Sequence, residues 1–208
     1  MIAALYVETG GAYFNVPGVD PWDASRDARN YNGPHPVVAH PPCERWGRYW
    51  YGGPSVKVRR KKGDDGGCFR AALEAVRRFG GVLEHPEGSA AWSYYGLIAP
   101  NRSGGWEQAG DFTGWTCCVE QGHYGHAARK ATWLYASGIE RLPELKWGKS
   151  AAVGKLEESF RTKEAAIAAR RAPGFVPVKR LSRSERLGTP APFRDVLLEL
   201  AEWARRKP

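Results

Sequence analysis

The chain of 208 residues has one methionine, four cysteines and five histidines, and no apolar run approaches the ~20 residues that a membrane-spanning helix needs. The start, Met1-Ile2-Ala3-Ala4-Leu5-Tyr6, lacks the basic segment and long apolar stretch of a secretory signal. With Cys117 and Cys118 adjacent, four cysteines do not make a disulfide framework, and there is no Cys-x-x-Cys pair of the zinc-finger type. No internal repeat is present, and the 25 glycines and 15 prolines follow no period, which excludes collagen-like and solenoid architectures and points to many tight turns. These absences lead to the expectation of a soluble, cytoplasmic protein with reduced thiols, no membrane association and no disulfide-linked partner.

What the chain does contain is enough apolar material for a core, at 42% hydrophobic and 12% aromatic residues, and a net charge of +9. Residues 139–208 carry 16 Lys/Arg against 9 Asp/Glu, so seven of the nine net charges lie in the last third. A basic region attached to a nearly neutral body suits a polyanionic partner, most simply DNA; a solvated helix surface would give the same bias.

Short apolar runs closed by Gly or Pro read as buried strands at Ile2–Val7, Pro36–Ala39, Val82–Pro86, Trp115–Val119 and Ala131–Ala136. Phe69, Leu73, Val76 and Phe79 fall at helical spacing between an Asp64 or Asp65 cap and the Gly80-Gly81 stop. Strands alternating with a helix predict an α/β domain, Rossmann-like, with a mainly parallel sheet flanked by helices and a basic helical C-terminal region. The expected organisation is a core over 1–138, a basic helical and loop insertion over 139–188 with a charged helix at 156–171, and a C-terminal helix over 189–208 that packs back on the core. For that last helix Thr189 is the expected N-cap and Pro190 the first helical residue, with Phe193, Val196, Leu197, Leu200 and Ala204 on its apolar face.

In open parallel sheets ligands bind at the carboxyl ends of the strands. Here each such end carries polar or reactive groups: Glu8-Thr9-Gly10-Gly11, His40-Pro41-Pro42-Cys43-Glu44, Glu84-His85-Pro86 and Gln121 to His126. Cys43 follows a strand in a loop stiffened by two prolines, and Arg45, Arg48 or Lys130 could supply the positive charge that favours a thiolate. The usual role of a lone cysteine is that of a small buried hydrophobe.

The segments VVAHPPCERWG (37–47), GGVLEHPEGS (80–89) and CCVEQGHYGHAARKATWLYASG (117–138) together resemble the cytosine-C5 DNA methyltransferases, in a reduced, phage-type form. That family has a Pro-Cys nucleophile loop, a Glu-Asn-Val strand end and a Tyr-Gly segment followed by a basic strand. The resemblance implies that Cys43 attacks C6 of a pyrimidine, that Glu84 binds or protonates the ring edge, and that Lys130 stands near the reacting atoms. It implies S-adenosylmethionine as donor, held at the first strand by Glu8, Gly10, Gly11 and Asp20. Pro42, Arg45, His85, Gln121, Tyr124 and Arg129 are the corresponding candidates for contacting the base and its strand.

Two other readings stand beside this one. His40, Cys43, His85, Cys117, His123 and His126 offer enough imidazole and thiolate for a four-coordinate zinc site if the strand ends converge, which would suit a metal-dependent enzyme or a nucleic-acid-binding protein that uses no methyl donor. The run Arg45-Trp46-Gly47-Arg48-Tyr49-Trp50-Tyr51, followed by Lys57, Arg59, Arg60, Lys61 and Lys62, could stack bases and meet phosphates. Isolated tryptophans are more commonly core residues.

Overall fold

A computed structural model describes residues 1–47, 50–52, 60–154, 164, 167–168, 171–173 and 181–204. The elements in chain order are β1 (Ile2–Leu5), β2 (Val19–Trp22), β3 (Val37–Ala39), α1 (Cys68–Phe79), β4 (Gly81–Pro86), α2 (Ala90–Tyr94), β5 (Glu107–Gln108), β6 (Gly114–Glu120), β7 (Ala131–Ser137), α3 (Arg183–Leu187) and α4 (Ala191–Glu202). The seven strands form one sheet in the order β2-β1-β3-β4-β7-β6-β5.

The sheet is mixed, which corrects the expectation of a mainly parallel one. β2, β1, β3 and β4 are mutually parallel, while β7 runs antiparallel to β4, β6 to β7 and β5 to β6. The reason is the length of the link: the bend at 121–130 joins β6 to β7 directly, whereas a parallel crossover needs a dozen or more residues, usually with a helix.

Side-chain alternation divides the core into two layers. Ile2 and Ala4 of β1, Val38 of β3, Val82 of β4, and Leu134 and Ala136 of β7 meet α4 through Phe193, Leu197 and Leu200. On the other face Ala3, Leu5, Val37, Ala39 and Leu83 meet α1 through Phe69, Leu73 and Val76, with Trp92 of α2 and Tyr135 alongside. The alanines of β1 are fully buried, and their small side chains let both helices approach the sheet.

Three local expectations change. Asp65 accepts from the backbone N–H groups of Gly67 and Phe69, so it caps α1 from two residues ahead of the observed N-cap, Gly67. Pro190, not Thr189, is the N-cap of α4. The polar stretch before it contains the short helix α3, closed by a reciprocal Ser182/Glu185 capping box. Gly81 opens β4 at φ +121°, where a Cβ would lie 2.0 Å from the Val37 carbonyl oxygen, so the close pairing of β3 and β4 depends on glycine there. The helix expected at 156–171 lies largely outside the described residues, as do Arg48, Tyr49, Lys57, Arg59, Lys179 and Arg180.

No helix among the described residues is long and apolar enough to cross a membrane, and Cys43, Cys68, Cys117 and Cys118 are all free thiols.

Candidate active site

A cavity of about 860 Å³ opens over the carboxyl ends of β1, β3 and β4. Tyr6, Val7 and Glu8 line it from the end of β1, and Ala12 and Tyr13 from the turn beyond. His40, Pro41, Pro42 and Cys43 come from the end of β3, Glu84, His85 and Pro86 from the end of β4, and Lys130 from the start of β7. Ser184 and Leu187 of α3 and Gly188 and Thr189 of its link to α4 roof it. The chain goes outward from β1 to β2 and returns across β1 to β3, so the cavity sits where the strand order reverses, the usual place for a ligand in such sheets.

The site is organised by a hydrogen-bonded chain across its floor. The Tyr13 hydroxyl lies 2.7 Å from Nε2 of His40, and Nδ1 of His40 lies 2.9 Å from Oε2 of Glu84. Gln121 donates through Nε2 to Oε1 of Glu84 at 3.2 Å and to Oγ1 of Thr132 at 3.0 Å. Burial by itself would raise the Glu84 carboxyl, but the His40 hydrogen bond and the nearby Lys130 charge outweigh it and hold the group at about 2. Glu84 is therefore an ionised acceptor at neutral pH. Burial pushes the Tyr13 phenol well above its ordinary value, so its O–H donates to His40, which then carries its proton on Nδ1 and donates to Glu84.

Cys43 is half-buried; burial and the Glu84 charge push its thiol above the ordinary value, and the Lys130 ammonium offsets only a small part of this. Lys130 is itself lowered by burial, and its Nζ donates to the carbonyls of Leu187 and Gly188 at 3.1 and 2.9 Å. It thereby ties the roof to the floor. Tyr6 and Lys130 are two of the five described non-glycine residues at positive φ, at 59° and 44°, so two walls of the cavity carry left-handed backbone.

His85 is 1% exposed and packs between Phe69, edge-on at 5.2 Å, and Trp92, stacked at 6.2 Å. Burial lowers its imidazole to about 4, against weaker opposing pulls from Glu84 and the Pro41 and Pro42 carbonyls, so it is neutral.

The cavity thus brings together Cys43, Glu84, Lys130, Pro42, His85 and Glu8, and leaves out several other expected members. Gln121 is fully buried behind Glu84 and acts by positioning it. Tyr124 packs on Phe193 and accepts from the Lys146 backbone, and is not part of the cavity lining. Arg129 lies 4.0 Å from Glu120, and Arg45 is not part of the lining. Gly10 and Gly11 form the turn after β1, closed by the Gly11 N–H to the Glu8 carbonyl, without themselves lining the cavity.

Asp20 also lies outside. Its carboxylate is taken by Arg26 and by the Trp22 indole. The acid that does stand after β2 is Asp23, which accepts from Oγ1 of Thr9 at 2.6 Å and from the backbone and hydroxyl of Ser25. Asp23 pins the glycine turn; its signal in the sequence was only its place one residue past a strand that contains a proline. Of the acids expected at the donor site, Glu8 alone lines the cavity, as an exposed carboxylate.

The expected zinc ligands are dispersed. His40 spends both ring nitrogens on Tyr13 and Glu84, Cys117 is buried within β6, His123 faces the Gly148 carbonyl, and His126 bonds to the Ala128 backbone. Among the described residues no three His, Cys, Asp or Glu side chains are grouped to hold a metal. Trp46, expected to stack on a base, is 2% exposed; it packs on Phe69, Tyr94 and Tyr95 and donates to Asp65. Sequence reasoning gave Tyr13 and Thr132 no role in the site, and treated His40 as one polar group of a strand end and as a metal ligand. Comparison with protein-family models, curated proteins and solved structures finds no match for this chain.

Proposed function

We propose that this chain is a Rossmann-like enzyme that modifies a pyrimidine base of DNA at C5, using Cys43 as nucleophile and S-adenosylmethionine as donor. The observation that carries the reading is that Cys43 and Glu84, delivered by the neighbouring parallel strands β3 and β4, line one cavity together with Lys130.

Each group then has a distinct chemical role. The Cys43 thiol loses its proton to solvent, with the Lys130 ammonium favouring the thiolate, and Sγ bonds to C6 of the base. The C5–C6 π electrons then move onto C5. Glu84, ionised and held by His40 and Gln121, keeps further lone pairs with which to accept a hydrogen bond from a ring-edge N–H, which orients the base for attack. S-adenosylmethionine, when bound, supplies the electrophilic methyl group, and Glu8 is the residue that would meet its positive charge. Loss of the C5 proton restores the double bond and expels Sγ as the thiolate.

A target base must leave the duplex to enter such a cavity, and a basic protein is suited to hold the strand while it does. The concentration of positive charge in residues 139–208 and the exposed Lys61 and Lys62 agree with that.

The test is to incubate the protein with DNA and methyl-labelled S-adenosylmethionine and digest the DNA to nucleosides. Label in a 5-methylpyrimidine that Cys43→Ser abolishes is the expected result. Unlabelled bases, or equal labelling by Cys43→Ser, would overturn the proposal.

A further inference from the structure

Resting on the proposed base modification, we infer that Tyr13 and His40 form the proton relay that removes the C5 proton, with Glu84 serving both the ring edge and the imidazole. After methyl transfer the reaction still has to break the C5–H bond, and this step needs a base on the cavity wall. Lys130 is occupied by two roof carbonyls, and His85 is 1% exposed and packed between the rings of Phe69 and Trp92. Tyr13 lines the cavity, and its hydroxyl is already hydrogen-bonded to Nε2 of His40.

Atoms and electrons balance in this step. The C5 proton passes to the Tyr13 oxygen while the Tyr13 hydroxyl proton passes to Nε2 of His40. The electrons of the C5–H bond form C5=C6, and the Cys43 Sγ–C6 pair leaves with sulfur. The imidazolium so formed donates from Nδ1 to the Glu84 carboxylate, whose charge compensates it in a buried setting. His40 afterwards gives up the proton to solvent. Tyr13 is thus assigned as a catalytic residue and His40 as the residue that positions and discharges it.

The sequence offers no hint of this arrangement, because Tyr13 and His40 belong to different strand ends. Their rings lie 5.3 Å apart, and the backbone carbonyl of Ala12 is itself fixed by Nη1 of Arg194 in α4 at 2.8 Å. The relay therefore depends on α4 being docked.

Tyr13→Phe keeps the ring and removes only the hydroxyl, so it separates chemistry from packing. With DNA labelled by tritium at cytosine C5 and with S-adenosylmethionine, wild type should transfer methyl and release tritium together. Tyr13→Phe should still transfer methyl in a single turnover but release tritium on the order of 100-fold more slowly. It should also accumulate a denaturation-resistant complex on ordinary cytosine DNA, and His40→Gln should behave likewise. Tritium release by Tyr13→Phe at the wild-type rate would overturn the relay, as would a parallel loss of methyl transfer and release. Absence of methyl transfer by wild type would instead defeat the underlying reading, and the relay with it.

Discussion

Acidification should weaken this protein through His85 before its carboxylates begin to titrate. The imidazole is 1% exposed between Phe69 and Trp92, and burial lowers it from 6.5 to about 4. The unfolded chain binds a proton as pH falls through 6.5, whereas the folded protein declines it until about 4. The stabilisation is therefore complete above 6.5 and is lost as pH falls towards 4, to a total of about 3 kcal/mol. About 2 kcal/mol of this should disappear between pH 7 and pH 5. Glu84, lowered from 4.5 to about 2, adds a further loss of the same sign only below 4.5, so the two windows separate. Urea unfolding followed by tryptophan fluorescence at pH 7 and pH 5 measures the difference directly. His85→Phe, which keeps an aromatic ring in the aromatic cluster, should lack the His85 share of the pH dependence. An identical change in His85→Phe and wild type would refute the assignment of a buried, neutral imidazole.

Gly81→Ala should destabilise the protein by more than about 1 kcal/mol in urea unfolding, because the new Cβ would meet the Val37 carbonyl at 2.0 Å in a left-handed backbone. Leu197→Ala should cost about 2–5 kcal/mol in the same assay, since the side chain is fully buried between α4 and the sheet. Lys130→Met should remove the two bonds to Leu187 and Gly188, and amide exchange at 184–189 should quicken by at least about fivefold relative to wild type; unchanged exchange would show that the roof is held by other contacts.

How much of this molecule was legible in its sequence depends on whether the signal was local. β1, β3 and β4 are short apolar runs cut off by turn residues, and α1 carries its apolar residues at helical spacing, so each declared itself. β2 did not, because Val19-Asp20-Pro21-Trp22 contains a proline and no apolar run; it is tolerated as the edge strand, where one side of the backbone needs no partner. Missing β2 also sent the donor-site expectation to Asp20 and past Asp23. The direction of β6 and β7 was readable from the short bend between them, yet strand alternation alone suggested a parallel sheet. Cys43 and Glu84 were named for their places at strand ends and Lys130 for the family resemblance, and the structure brings the three to one cavity. Tyr13 and Thr132 were not named, since their roles exist only once four other segments converge around Glu84. Trp46 shows the opposite error: the arginines beside it suggested base stacking, while its own environment is core.

Covalent capture tests the central claim most directly. A 5-fluoropyrimidine has no C5 proton to lose, so an adduct that has received a methyl group cannot resolve. Wild-type protein incubated with 5-fluorocytosine DNA and S-adenosylmethionine should give a complex that survives denaturation, with the base joined to Cys43; Glu84→Gln should form it more slowly and Cys43→Ser not at all. A complex that forms equally with Cys43→Ser, or no complex with wild type under conditions where both DNA and donor bind, would contradict nucleophilic catalysis at Cys43.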